Sequence, residues 1–486
     1  MNEPVTKELV IHKIKHNLRR LRTAIKWIIF SILSGLLIGM VGIAFYFGMT
    51  WVTDTRTAYP WLIFFLPLGG IMIILLYHLL HDEKDTGTNL VLSAIHSGDE
   101  IPLRMAPLIF ISTLITHLFG GSAGREGAAL QLGGSIGNSL GRLFRFDEKD
   151  KHIMIMCGMS AAFSALFGTP MAAAIFPLEV VSVGIMHYSA LVPCVISALV
   201  AHGLALHFQI APPSFAILDI PEFGISSAVT VTILAVLCAL VSILFCISLH
   251  YSEAIYRKFI KNPYLRAAAG GCIIILLTLL VGNQDYNGTG VNIISKCFDG
   301  TVAPEAFLLK IIFTALTLGA GFKGGEIVPT FFIGASFGCL FGTLTGFSPT
   351  LCAAIGMAAI FCGVTNSPIT SLLISFEMFG SLQCHSCFLR LHSAICSPAI
   401  TDCTAARRLC IQNLRQAISI NRRTNYEKHA LRVSRVIAVL AKSACRHAIF
   451  LATRLKRTSA DCFPTGRSSS HIIHYMLFLI SSYKYF

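Results

Sequence analysis

The chain contains itself twice. Gly158-Met159, Phe163, Pro170 and Glu179 return 198 residues later as Gly356-Met357, Phe361, Pro368 and Glu377. Each set follows a Gly-rich segment, Gly124-Arg125-Glu126-Gly127 in the first copy and Gly324-Gly325-Glu326-Ile327 in the second. The spacing from Gly133 to Gly334, and from Gly137 to Gly338, is 201 residues. A unit of that size, duplicated, confines the fold to two similar halves packed on each other. It also places one carboxylate at a Gly-rich helix start in each half.

A mean hydropathy of +0.70 with 13% charged residues excludes an ordinary soluble domain. Charge is absent from Trp27–Thr53, Thr57–His81, His152–Leu178, Val180–Leu218, Phe223–Ser252 and Ile327–Phe376. A membrane-crossing helix needs about 20 apolar residues, so most of these runs hold one or two spans. Gly and Pro interrupt several of them, as at Ala165–Pro170 and Thr365–Pro368. Such breaks are tolerated at membrane depth only where the backbone is buried in protein or lines a cavity. Broken, duplicated segments point to a transport site between repeats. The expected fold class is therefore an all-α polytopic membrane protein. Residues 1–26 form a basic cytosolic helix, 27–218 a first membrane repeat, and 223–380 a second, incomplete one. Lys7, Lys13, Lys15, Arg19, Arg20, Arg22 and Lys26 put the N-terminal end in the cytoplasm by the positive-inside rule.

Residues 381–486 do not match the rest. They hold 16 Lys/Arg against 3 Asp/Glu, whereas residues 1–380 hold 22 against 21. The net charge of +14 is thus almost wholly a property of the tail. Of 39 glycines only Gly466 falls there, while 7 of 16 cysteines do. The first copy continues beyond Glu179 into an apolar helix near Ile185–His207, so the duplication predicts a partner near 383–405. That stretch instead carries Arg390 and Asp402, with Arg407 and Arg408 just after it, all costly at mid-membrane. The favoured reading is a shifted reading frame beginning near Gly380–Gln383, with a genuine basic cytosolic tail as the alternative. No nucleic-acid motif accompanies the charge. The Cys384 and Cys387 pair lacks a second pair at zinc spacing, so no metal and no disulfide framework is expected.

The physics of the Gly-rich segments suggests an anion site. A helix start leaves backbone N–H groups unpaired and carries about half a positive charge. Within a low-dielectric membrane it can hold an anion without a full positive charge. Gly124, Arg125, Gly127 and Ala128 form one such start; Gly325, Ile327 and Val328 form the other. If the copies are inverted, both starts converge on one point. Glu126 there can act as a tethered anion that fills the site when ionised and leaves when protonated, coupling anion and proton movement. Glu326 is either a helix cap or a second proton carrier. Glu179 and Glu377 are read as structural groups at helix ends.

Gly124-Arg125-Glu126-Gly127 resembles the signature of the CLC chloride channels and proton-coupled antiporters. Gly324-Gly325-Glu326-Ile327-Val328-Pro329 resembles that family's second anion-site motif, and the likeness extends over about residues 25–380. It implies an inverted-repeat fold of tilted, broken helices, a homodimer with one pore per subunit, and Glu126 as the gating glutamate. The sequence departs from the family at four places. Asp85-Thr86-Gly87-Thr88-Asn89 stands where a Gly-Ser-Gly-Ile-Pro segment is usual, leaving Thr86, Gly87, Thr88 and Asn89 as the candidate anion ligands. Val180 stands where many antiporters carry an inner proton-relay glutamate. Glu326 replaces an apolar residue, a trait the resemblance associates with the fluoride-exporting branch. No tyrosine lies in the context of the family's last helix. The implied partners are chloride or fluoride, protons, lipid and a second copy, with no cofactor, in a bacterial inner membrane.

A passive channel is the nearest alternative. A reading of another class comes from Gly120-Gly121-Ser122-Ala123-Gly124, which matches a nucleophile pattern with His117 close by. That pattern needs a strand before the turn, and here a helix is expected. Likewise Gly134, Gly137 and Gly141 follow no strand, and helix packing explains them better than dinucleotide binding.

Overall fold

A computed structural model of the protein describes residues 3–80, 91, 101–181, 187–210, 213–217, 221 and 225–379. Among them stand fourteen α-helices and no β-strand. The first half runs α1 (Glu3–Ala58), α2 (Leu66–Leu79), α3 (Met105–Leu118), α4 (Glu126–Leu143), α5 (Glu148–Phe167), α6 (Pro170–Val180) and α7 (Leu191–His207). The second runs α8 (Ile225–Phe259), α9 (Pro263–Val281), α10 (Val291–Phe298), α11 (Ala306–Gly319), α12 (Ile327–Thr345), α13 (Pro349–Thr365) and α14 (Pro368–Phe379). Helices at corresponding repeat positions are alike in length: α3 and α11 have 14 residues each, α4 and α12 have 18 and 19, and α6 and α14 have 11 and 12. Six helical stretches are long and apolar enough to cross a membrane, while α3, α6, α11, α13 and α14 are shorter apolar helices.

The breaks read from the sequence are elbows with the same construction in both halves. Gly168 closes α5 at φ 67°, and Asn366 closes α13 at φ 59°, each in the left-handed region. Their N–H groups return to Ser164 O at 2.9 Å and Cys362 O at 2.8 Å, answering carbonyls that a helix end leaves free. Pro170 and Pro368 then open the next helix, where the absent N–H costs nothing.

Glycine sets the closest helix crossing in each half. Gly133 on α4 faces the carbonyl of Gly158 on α5, and Gly158 faces that of Gly133. Gly334 on α12 and Gly356 on α13 repeat the arrangement. A β-carbon at any of the four would overlap the opposing carbonyl oxygen. Gly137 against Met154 O and Gly338 against Cys352 O extend the two crossings by one turn. Gly134 packs on Val91. Close packing thus accounts for this glycine run.

Two carboxylate contacts, that of Glu179 buried and that of Glu377 partly so, join the halves by a reciprocal exchange. Glu179, near the end of α6, accepts from Ile369 N (2.9 Å), Thr370 N (2.8 Å) and Thr370 Oγ1 (2.6 Å) at the start of α14. Glu377, near the end of α14, accepts from Met171 N (2.7 Å) and Ala172 N (2.9 Å) at the start of α6. Each carboxylate satisfies the N-terminus of the other half's helix, as expected of two halves related by a two-fold axis. Between them, Phe163, Phe176 and Phe361 pack with centroid separations of 5.2 Å and 6.0 Å, and Phe331 joins Phe361 at 5.1 Å. Glu179→Ala should therefore lower the melting temperature of purified protein more than Glu377→Ala, because it strands three donors rather than two. About 2–3 kcal/mol is expected for the first, and equal shifts for the two variants would count against the capping role.

Two element boundaries differ from the sequence reading. The division at residues 26 and 27 marks a change in hydropathy only, since α1 runs through it unbroken for 56 residues. Lys26 pairs with Asp150, which draws this part of α1 onto the start of α5. Of the apolar helix expected over Ile185–His207, α7 supplies Leu191–His207 after a short 3-10 turn at Tyr188–Ala190. Residues 381–486 lie outside the described residues.

Candidate functional site

The two Gly-rich segments meet. Gly124 N donates to Gly325 O at 2.6 Å and Gly325 N donates to Gly124 O at 2.7 Å, a reciprocal antiparallel bridge. Only residues without side chains permit it: a β-carbon at Gly124 would stand 3.1 Å from Gly325 O, and one at Gly325 would stand 2.5 Å from Gly127 N. The bridge sets the first turns of α4 and α12 side by side. Two positive helix ends from opposite halves thus lie against one another in the interior.

Glu126 is the first residue of α4 and is buried at 2% exposure. Its carboxylate turns back on its own helix start. Oε2 accepts from Arg125 N at 3.0 Å and lies 3.1 Å from where a Gly124 β-carbon would sit. Oε1 is 3.3 Å from Arg125 Nε. The Arg125 guanidinium lies 5.1 Å from the ring centroid of Tyr46 on α1, so it is held by an aromatic face as well as by its carboxylate. The carboxylate occupies the position an anion would take at this terminus. Gly127 and Ala128 follow, buried in the same turn.

On the other side of the bridge, Ile327 and Val328 are buried at 4% each. Glu326 occupies the N-cap position of α12, makes no capping hydrogen bond with its side chain, and is exposed. The two halves are therefore alike in backbone and unlike in the fate of the carboxylate. The starts of α6 and α14 are filled by Glu377 and Glu179, carboxylates of the opposite half. Thr86, Gly87, Thr88 and Asn89 lie outside the described residues.

The segment leading to Glu126 is buttressed from the second half. Ser122 N donates to Thr317 Oγ1 at 3.2 Å, and Ser122 Oγ pairs with Thr314 Oγ1 at 3.1 Å. His117 places Nδ1 2.9 Å from Thr113 O and Nε2 3.0 Å from Ala123 O. Both its nitrogens are engaged with backbone, Ser122 faces threonines, and α3 rather than a strand precedes the turn. The arrangement is not a nucleophile and base. Sequence reasoning passed over Lys310 and Arg56, both close to this segment. A lysine in the middle of the apolar α11 was the available signal, because an ionisable group in a membrane helix is functional by default.

A profile of the family described as Voltage gated chloride channel matches residues 69–397. The chloride/fluoride channel protein of Pseudomonas syringae pv. tomato is 36% identical over 362 residues, covering 73% of this chain and 80% of the relative. The H(+)/Cl(-) exchange transporter ClcA of Vibrio cholerae serotype O1 is 25% identical over 395 residues, covering 74% of this chain and 82% of the relative. Among solved structures, a CLC-type fluoride/proton antiporter matches with a TM-score of 0.74 at 33% identity, covering 79% of this chain and 96% of that one. A slow cyanobacterial Cl-/H+ antiporter shares the fold, with a TM-score of 0.67 at 19% identity over 82% of this chain and 99% of that one.

Proposed function

The chain belongs to the voltage-gated chloride channel family, CLC, and from that premise we propose that it moves a halide across the membrane in exchange for protons, gated by Glu126. One observation carries this reading: the Glu126 carboxylate is buried at the helix start beside the Gly124–Gly325 bridge, where an anion would compete with it. Protonation removes the charge that holds it there, and a halide can then take its place. The two movements are thereby coupled through one side chain. Gly124, Arg125, Gly127, Ala128, Gly325, Ile327 and Val328 form the backbone seat, with Thr86, Gly87, Thr88 and Asn89 as further candidate ligands. Liposomes loaded with chloride or fluoride, with external anion and pH recorded together, test it. Uphill proton movement on adding a halide gradient is the expected result, and halide flux without it would indicate a passive channel.

Fluoride is proposed ahead of chloride. Glu326 in the second motif supports it, as do the names of the Pseudomonas relative and of the solved antiporter at 33% identity. Replacing Glu326 by Gln should lower proton coupling in the same assay while leaving expression and thermal stability unchanged. An unchanged coupling ratio would make Glu326 structural.

The protein is an integral membrane protein, and we place it in a bacterial inner membrane as a homodimer, with the basic N-terminus in the cytoplasm. Residues 381–486 are read as out of frame with the rest, supported by the loss of glycine and the gain of positive charge after position 380. Resequencing codons 375–425 tests that reading. Transport is best compared between the chain as it stands and one translated through any corrected frame.

A further inference from the structure

Two cations converge on Gly288, and neither has an ion-pair partner among the described residues. Lys310, in the middle of α11, has no exposed surface. Its ammonium donates to Tyr286 O at 3.1 Å and Gly288 O at 2.8 Å, and lies 5.2 Å from the ring centroid of Phe332. Arg56, in the last turn of α1, reaches the same glycine: a β-carbon at Gly288 would stand 2.9 Å from Arg56 Nη1 and 3.0 Å from Nη2. Nη1 is buried and has no hydrogen-bond partner. The ion pairs among the described residues include neither cation. Gly288, at φ 59°, is thus held between two positive groups that make no ion pair among the described residues.

This cluster is joined to the Glu126 segment through the backbone. Gly288 N donates to Gly121 O at 3.0 Å, five residues before Glu126. Two cations without an ion pair among the described residues therefore stand behind the segment that feeds the gate. In a low-dielectric interior an unpaired charge and an unanswered N–H are both costly. The Lys310 ammonium is committed to two carbonyls and an aromatic face. The Arg56 guanidinium keeps one donor, Nη1, that faces the interior beside Gly288 without a hydrogen-bond partner, while the rest of the residue is partly exposed.

We infer that Arg56, backed by the charge of Lys310, holds a small monovalent anion at a station separate from the Glu126 seat. That the anion is the transported halide rests on the proposed function; the station itself rests on two cations that make no ion pair among the described residues. A planar guanidinium with one unfilled arm is a strong, directional donor for such an ion. Its place at the end of α1 opposite the basic N-terminus makes it a recruiting site, raising the local halide concentration where the gate opens.

Bromide alone, added to the full chain in detergent, provides the probe. Diffraction at the bromine edge should show an anomalous peak at the Arg56 guanidinium. Calorimetric titration should show Arg56→Gln weakening bromide binding by about tenfold, with Arg56→Lys recovering part of the loss. Glu126→Gln should leave the Arg56 peak in place, which separates a failure here from a failure of the gating assignment. Absence of a peak at Arg56 in the wild-type chain would overturn the inference. So would a peak accompanied by unchanged solution affinity in Arg56→Gln, which marks binding at crystal concentration only. Should Arg56→Gln not fold, the wild-type peak decides alone.

Discussion

Replacing Glu126 by Gln is expected to stop proton movement while halide still passes. The amide has almost the carboxylate's shape, and its oxygen can accept the Arg125 N–H that now holds Oε2 at 3.0 Å. It has neither a charge to seat against the helix start nor a proton to exchange. Coupling should therefore fall by at least about tenfold, since a carrier that cannot take up or release a proton removes that step altogether. The check is the ratio of proton to halide flux in loaded liposomes, with the melting temperature measured alongside. Uphill proton transport persisting in the Gln variant would remove Glu126 from the mechanism, whatever the effect on flux. The substitution should also not destabilise the fold. A buried carboxylate whose nearest cation is its own neighbour, at 3.3 Å, contributes little net stability once desolvation is counted.

The second large effect concerns the fold itself. Gly356→Val should abolish accumulation of monodisperse protein, and Gly158→Val should do the same. At each position the new β-carbon would lie inside the van der Waals envelope of a backbone carbonyl, that of Gly334 or Gly133. Neither helix can retreat cheaply, because the next turn is also in backbone contact, at Gly338 against Cys352 and at Gly137 against Met154. Overpacking a rigid site costs about 1–3 kcal/mol and more when backbone must move, so about 3 kcal/mol or more is expected here. Gly203, with nothing within 4 Å of an added β-carbon, is the control on another helix. Gly203→Val should elute from a sizing column as wild type does. If Gly356→Val elutes equally well, the two-glycine crossing is not what sets the distance between α12 and α13.

Much of the architecture is legible in the residues one element at a time. Hydropathy marks the stretches of α1, α2, α7, α8, α9 and α12 because each contains an apolar run long enough to cross a membrane, with a short 3-10 turn added before α2 and α7. Gly168-Thr169-Pro170 and Asn366-Ser367-Pro368 mark the elbows because a left-handed residue stops a helix and a proline starts one, both local effects. The duplication is legible because it is a comparison of letters. Glu126 at a Gly-rich helix start is legible because an ionisable group in so apolar a chain needs a reason to be there.

What the letters could not supply is which groups meet across the two halves. Glu126 and Glu326 stand in matching segments but one position out of step: Glu126 is the first residue of α4 and is buried, whereas Glu326 is the N-cap of α12 and is exposed. Glu179 and Glu377 read as helix-end residues; that each serves the other half's helix follows from a two-fold relation between segments about 200 residues apart. The Gly124–Gly325 bridge, and the convergence of Arg56 and Lys310 on Gly288, are contacts of the same long-range kind. Sequence patterns report periodicity within a helix, because the backbone there repeats every few residues. Sites between helices depend on relative placement, which is decided only when the whole apolar surface is buried at once. Two membrane-embedded halves, and a carboxylate at a helix start, are written into the residues of each segment. Only packing across the halves brings the two helix starts onto one seam and sets Arg56 and Lys310 against Gly288 behind it.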